Sequence, residues 1–93
     1  MKIKLTIEFN YDLNDIVYFI AKDKPLAARK FKIELIKNIK KDLQNPFIFK
    51  KSIYFDDDNV RDYTFKGYTV VFKVDIESNI VTTVAVLKHK NSI

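Results

Sequence analysis

The sequence contains no cysteine, one glycine and two prolines among its 93 residues. The absence of cysteine excludes disulfide bonds and thiolate metal sites, and it makes an intracellular location the simpler expectation. With so few residues that interrupt helices and strands, most of the chain is expected to form regular structure. No apolar run approaches the roughly 20 residues of a membrane-spanning helix, so we expect no membrane partner. Residues 1–9 carry charges at alternate positions and lack the features of a signal peptide.

The residues that are present describe a small, basic chain rich in aromatic side chains. Hydrophobic residues make up 47% of the sequence, including eight Phe and five Tyr, which suffices for a compact core. The length suits one domain, which we expect to span residues 1–93. The net charge of +5 favours an acidic partner, either nucleic acid or an acidic protein. A lysine-rich composition that serves only solubility accounts for the charge equally well.

The N-terminal part shows an alternating pattern followed by a helical one. Apolar and polar residues alternate from residue 3 to residue 9, with Ile7 and Phe9 as the last apolar pair. This alternation predicts a half-buried strand, and Asn10 is a suitable helix cap. Apolar residues at helical spacing then predict a first helix over about residues 11–22.

A second helix is predicted from Pro25 to about residue 44, because proline is favourable in a first helical turn and Asn45-Pro46 ends the pattern. Leu26 and Ile33 fall on a different side from its main apolar stripe. A helix with two apolar sides contacts two neighbours, so we expect it to pack on both a sheet and the first helix.

The segment after the helices predicts irregular structure. Residues 47–54 indicate either an extended segment or a loop anchored by aromatic side chains. Asp56, Asp57 and Asp58 are consecutive carboxylates, but they lack the alternating spacing of calcium-binding loops. We therefore interpret them as a solvated turn and predict no metal site.

The last third of the chain predicts three strands that follow one another as a meander. Strands over residues 60–65 and 68–75 flank the tight turn Lys66-Gly67, and a second turn leads to a strand over residues 80–87. This last strand is apolar on both sides, with Val81 and Val86 on opposite ones, which predicts a central strand covered on both faces. The predicted fold is α+β: an N-terminal strand and a two-helix hairpin packed on a mostly antiparallel sheet with a C-terminal three-strand meander.

Several stretches taken in order resemble the RelE/ParE superfamily of bacterial type II toxins. They are DLNDIVYFIAKDKPLAARKF at residues 12–31, the Leu43-x-Asn45-Pro46 stop, Val60-Arg61, the strand from Gly67 to Asp75, and Val84-x-Val86-Leu87-Lys88-His89-Lys90. The resemblance covers essentially the whole chain. It implies a cytoplasmic toxin that an antitoxin neutralises and that either cuts messenger RNA on the ribosome or poisons DNA gyrase.

The sequence departs from the ribonuclease branch of this superfamily at two points. That branch often ends in an aromatic residue where this chain has Ile93, and no glutamate suitable as a base precedes Arg61. The first helix and the tight hairpin resemble the ParE branch more closely, which slightly favours gyrase as the target. A ribonuclease activity would be that of a metal-independent endoribonuclease that needs no cofactor.

Arg61 and His89 are the candidate catalytic residues for RNA cleavage. Such a reaction needs an acid, a base and fixed positive charge. His89 is the only histidine in the sequence, and no other type of side chain present has an ordinary pKa near neutrality. Arg61 is suited to clamp a phosphate through two hydrogen bonds. Further candidates for phosphate or partner binding are Lys50, Lys51, Lys88 and Lys90.

These residues also have structural interpretations. In these interpretations Arg61 pairs with Asp62, with Asp75 or with the acidic turn, and His89 is structural or merely exposed at a strand end. A nontoxic binding module, or a toxin that has lost its activity, therefore remains a third hypothesis.

Tyr18 and Phe19 lie off the apolar stripe of the first predicted helix and are candidate antitoxin contacts. Antitoxins of the superfamily cover exposed apolar and basic surface, so the resemblance implies an acidic, amphipathic antitoxin segment. Alternatively, both aromatic side chains close the helical hairpin or pack on Phe9 and Tyr11.

Overall fold

In the computed structural model, which describes residues 1–88, four strands and two α-helices follow one another in the predicted order. They are β1 (Lys2–Leu5), α1 (Ile7–Ala21), α2 (Pro25–Asp42), a short 3₁₀ helix (Pro46–Ile48), β2 (Val60–Phe65), β3 (Tyr68–Asp75) and β4 (Ile80–Lys88). None of the helices within residues 1–88 combines the length and apolar character needed to cross a bilayer.

The four strands form one sheet in the order β1-β4-β3-β2. The strands β2, β3 and β4 pair antiparallel as the predicted meander, and β1 inserts parallel to β4 at the edge. The hairpin between β2 and β3 has positive φ at Lys66 (48°) and Gly67 (84°), as a tight two-residue turn requires. The predicted α+β class with a mostly antiparallel sheet is confirmed, and β4 is an interior strand.

The two helices pack on one face of this sheet and enclose the core. The core includes Phe9, Leu13, Phe31, Leu35, Ile39, Leu43, Tyr63, Val70, Phe72, Val74, Val81 and Val86. Aromatic rings also pack edge-on beside this core. The ring centres of Phe49 and Tyr63 are 5.3 Å apart, and those of Phe31 and Tyr68 are 5.2 Å apart. The predicted anchoring of the 47–54 segment by an aromatic side chain is therefore confirmed for Phe49.

The apolar pattern of β4 has a different cause from the one predicted. Val71 pairs with Ala85 but the next residue, Phe72, pairs with Thr83, so a β-bulge leaves Val84 without an opposite residue. An extra residue in one strand reverses which side chains face inward beyond it. Val81 and Val86 consequently both belong to the core, and their predicted placement on opposite faces is wrong.

The start of α1 also differs from the prediction of a strand that continues to Phe9. Thr6 ends the strand, because its Oγ1 accepts a hydrogen bond from the Phe9 N–H at 3.1 Å and caps the helix. The same hydroxyl donates to the Thr83 carbonyl at 2.8 Å, which fixes the cap on the sheet. As a result Phe9 is fully buried within α1, whereas Ile7 is 72% exposed.

Leu26 and Ile33 are exposed, contrary to the prediction that α2 has a second buried side. They are 79% and 60% exposed. On the side towards α1, the half-buried Ile36 packs against the core and Lys32 donates to the Asn14 side chain at 3.2 Å. The second apolar side of α2 therefore faces solvent.

Candidate functional site

Arg61, the second residue of β2, is held by backbone groups on both sides of its guanidinium. Its Nε donates to the Asp58 carbonyl and its Nη1 to the Phe49 carbonyl, both at 2.9 Å. The guanidinium carbon also lies 4.9 Å from the centre of the Phe47 ring. Arg61 thus connects Phe49 and Asp58, which lie near the two ends of the segment that leads into β2.

Two lysines reach the same place because the chain before β2 folds back along this strand. Lys51 forms an antiparallel bridge with Arg61, flanked by hydrogen bonds from Ser52 N to Val60 O and from Asp62 N to Lys50 O. Lys50 and Lys51 are both exposed beside Arg61. We call this group of three cations, Lys50, Lys51 and Arg61, the Arg61 end of the sheet.

The acidic turn next to the Arg61 end forms several local contacts. Asp58 accepts from Lys51 at 2.7 Å, and this hydrogen bond, helped by the charges of Lys51 and Arg61, lowers the pKa of the Asp58 carboxyl. Asp57 caps the backbone N–H of Asn59 at 2.9 Å. Among residues 1–88, no group of three acidic, histidine or cysteine side chains is arranged to hold a metal ion.

Of the pairings expected for Arg61, the structure shows the one with the acidic turn, made to the backbone carbonyl of Asp58. The other two are wrong, because those carboxylates bind backbone N–H groups instead. Asp62 accepts from Ile53 N at 3.2 Å and Asp75 accepts from Ser78 N at 3.2 Å.

Lys88 lies at the other end of the sheet, where β4 finishes. Its ammonium group is 5.9 Å from the centre of the Phe19 ring. Together with Asp15, Ile16 and Tyr68, these two residues line a shallow groove of about 270 Å³. We call this the Lys88 groove; His89 and Lys90, which follow it in the chain, are outside the described residues.

The strand pairing keeps the Arg61 end and Lys88 apart. Arg61 pairs with Phe72 of β3, whereas Lys88 pairs with Tyr68 of the same strand. Four residues along a strand span about 13 Å, and β2 and β4 lie on opposite sides of β3. Within the described residues, the candidate phosphate-binding cations thus form two separate groups, not one site.

Tyr18 and Phe19 are adjacent in sequence but belong to different surfaces. Both are exposed, at 69% and 65%, so they neither close the hairpin nor pack on Phe9, and that alternative is wrong. Phe19 lines the Lys88 groove, whereas Tyr18 points away from the sheet with Lys22 5.3 Å from its ring. Neighbouring helical residues differ by about 100° in direction, which explains the separation.

A partly buried hydrogen bond between Tyr63 and Asp42 joins the end of α2 to the sheet, and the sequence pattern did not reveal it. The Tyr63 hydroxyl donates to Asp42 Oδ2 at 2.5 Å. Burial of the phenol, followed by this hydrogen bond and the Asp42 charge, raises the pKa of Tyr63 well above 10.0. Only the helix-to-sheet packing brings these residues together, 21 positions apart in the chain.

Replacing Tyr63 with phenylalanine is expected to lower the free energy of unfolding by about 1 kcal/mol at pH 7. The raised pKa means that the folded state favours the neutral phenol. The contribution of the Tyr63 hydroxyl to the free energy of unfolding is therefore complete below pH 10 and declines as the pH rises above 10. The difference between wild type and Tyr63→Phe should therefore shrink at pH 11. Urea unfolding at pH 7, 9 and 11 measures it, and a constant difference would contradict the assignment.

Comparison with known proteins agrees with this fold. The model of the family described as ParE toxin of type II toxin-antitoxin system, parDE, matches residues 3–93. The chain belongs to this family. This confirms the predicted membership of the RelE/ParE superfamily and the predicted general role, that of a toxin of a type II toxin–antitoxin system. No curated protein sequence matches this ParE-family chain at a significant level.

Two solved structures show the same architecture. One is the chromosomal ParDE toxin–antitoxin system from P. aeruginosa, with a TM-score of 0.76 and 18% identity over 97% of each chain. The other is the RelBE2 toxin–antitoxin complex from Mycobacterium tuberculosis, with a TM-score of 0.66 and 16% identity over 95% of this chain and 96% of that one. At such low identities, the ParE-family chain shares the fold of these proteins.

Proposed function

We propose that this ParE-family toxin inhibits growth by binding and poisoning DNA gyrase rather than by cutting RNA. The separation of Arg61 from Lys88 carries the proposal, because cleavage requires an acid, a base and phosphate-binding cations around one scissile bond. Two donors of Arg61 are already bound to backbone carbonyls, which leaves fewer to clamp a phosphate. A protein that acts by binding needs no such convergence.

Ribosome-dependent cleavage of messenger RNA is the second candidate, and one observation favours it. His89 directly follows Lys88 in the chain, so an acid–base group is adjacent to one cation of the candidate set. In that case Arg61 and His89 remain the proposed catalytic residues, with Lys50, Lys51, Lys88 and Lys90 as phosphate contacts.

A gyrase supercoiling assay with the purified chain tests the first proposal. We expect the wild type to inhibit supercoiling, and His89→Ala to inhibit it to the same extent because no proton transfer is involved. Primer extension on a translated message is run in parallel and is expected to show no cleavage.

The assays separate the alternatives by their outcomes. No inhibition of gyrase at saturating protein, together with cleavage that is lost in His89→Ala, would replace gyrase poisoning with ribonuclease activity. Neither activity, with normal growth while folded protein accumulates, would indicate a nontoxic binding module or a toxin that has lost its function.

The proposed partner is an acidic, amphipathic antitoxin segment that contacts Tyr18 and Phe19. The exposure of both rings and the two neighbouring cations, Lys22 and Lys88, support this proposal. A short acidic product of the neighbouring reading frame should copurify with the chain. Binding should weaken in Phe19→Ala, and an unchanged affinity would remove the Lys88 groove from the contact.

A further inference from the structure

Both helices expose apolar residues on the side that faces away from the sheet. On α1 these are Ile7, Tyr11 and Tyr18, spaced at four and seven residues and 69–72% exposed. On α2 they are Leu26 and Ile33, seven residues apart. Such spacing places each set on one side of its helix. We call the two stripes together the outer face of the hairpin.

The two helices carry opposite charge on this outer face. The α1 segment contains three carboxylates and no cation, and the exposed Glu8 and Asp15 flank Tyr11 at helical spacing. The α2 segment contains six cations and two carboxylates. Its exposed cations around Leu26 and Ile33 are Arg29, Lys30, Lys37 and Lys40.

The remaining carboxylates of both helices bind groups of the sheet or of its turns, so they do not reduce the difference in charge between the two helices on the outer face. Glu34 accepts from Lys66 at 3.0 Å, at the turn between β2 and β3. Asp42 accepts from Tyr63, and Asp12 accepts from the backbone N–H of Val86 at 3.1 Å. The outer face therefore consists of an acidic amphipathic helix beside a basic amphipathic helix.

We propose that the outer face of the hairpin is a homodimer interface in which α1 of each copy packs antiparallel on α2 of its partner. A two-fold axis that is parallel to the two helices, and lies over the outer face midway between them, produces this arrangement, which is a four-helix bundle. The resulting interface joins the apolar stripes of both copies and sets acidic α1 against basic α2. A two-fold axis in the plane of the interface but perpendicular to the helices would stack α1 on α1 and α2 on α2, with like charges facing each other.

A second copy fits this face better than a membrane does. In α2, Arg29, Lys30 and Lys37 occupy the same side of the helix as Leu26 and Ile33, so an apolar side free of charge is lacking. The exposed carboxylates Glu8 and Asp15 of α1 would also be repelled by anionic lipid. The chain itself supplies the acidic amphipathic helix that the α2 surface suits. Because Tyr18 is also a proposed antitoxin contact, the dimer is proposed for the chain without its antitoxin.

Sedimentation equilibrium of the 93-residue chain, purified without its antitoxin, over a range of concentrations tests the proposal. We expect a reversible monomer–dimer equilibrium whose dissociation constant rises about tenfold in either of two charge-reversed variants. One carries Glu8→Lys with Asp15→Lys on α1, and the other Arg29→Glu with Lys37→Glu on α2. Because each variant then complements the other, mixing the two should restore dimers.

A matched control carries Lys2→Glu with Lys4→Glu, which makes the same charge change as the α2 variant at exposed positions of β1. It should dimerise like the wild type, and circular dichroism checks that every variant is folded. A wild type that sediments as a monomer at all concentrations would overturn the proposal. So would dimers that persist unchanged in both reversed variants, because the contact would then lie on another surface.

Discussion

Replacing Phe9 with alanine is expected to lower the free energy of unfolding by about 3 to 5 kcal/mol. Phe9 is fully buried in the first turns of α1 and belongs to the core between the helices and the sheet. Removing the ring loses its transfer free energy and leaves a cavity that the surrounding strands only partly close. Because small domains have only about 5 to 15 kcal/mol of stability, this loss removes a large part of it, and the unfolded fraction at 37 °C should rise.

Ile7→Ala is the matched control for Phe9→Ala, because a continued strand would bury both side chains on one face. The helix that begins at Ile7 leaves this residue 72% exposed, so its replacement should change the free energy of unfolding by less than about 0.5 kcal/mol. Urea unfolding of the two variants gives both values. Equal losses would contradict the helical start at Ile7 and support the strand.

Arg61→Ala is expected to lower the free energy of unfolding by about 2 to 3 kcal/mol. The substitution removes two charged hydrogen bonds to the Phe49 and Asp58 carbonyls, together with the contact to Phe47. Arg61→Lys should recover only part of this loss, because a single ammonium group cannot reproduce the fork that reaches two carbonyls.

Lys50→Ala serves as the control for Arg61→Ala, since Lys50 is an exposed cation beside Arg61 at the same end of the sheet. Its effect on stability should be within about 0.5 kcal/mol. Urea unfolding and protection of residues 49–60 against limited proteolysis compare the variants. If Arg61→Ala left stability unchanged but abolished toxicity, the guanidinium would act on the target rather than on the fold.

This prediction affects how mutations of the candidate site are interpreted. A loss of toxicity in Arg61→Ala does not by itself identify a catalytic arginine, because the same residue anchors the segment before β2. The loss must be compared with the folded fraction of each variant. Lys88, which lies exposed at the other end of the sheet, gives a cleaner test of whether charge contributes to toxicity.

Local patterns were sufficient to predict most elements and the family. The boundaries of α2 and the three-strand meander follow from proline positions, turn residues and periodicity, which act between neighbouring residues. The order of these elements carried the resemblance that the family match confirmed. The strand was predicted to reach Phe9 because alternation continues past Thr6. The cap that stops it also depends on contact with Thr83, 77 residues away.

Which residues meet was decided only by the tertiary structure. The pairing of β2, β3 and β4 put Arg61 and Lys88 at different ends of the sheet, and the bulge at Val84 brought Val81 and Val86 to the same face. Distances of this kind depend on strand order and on packing between segments far apart in the chain, whereas composition and periodicity report only what each segment forms locally.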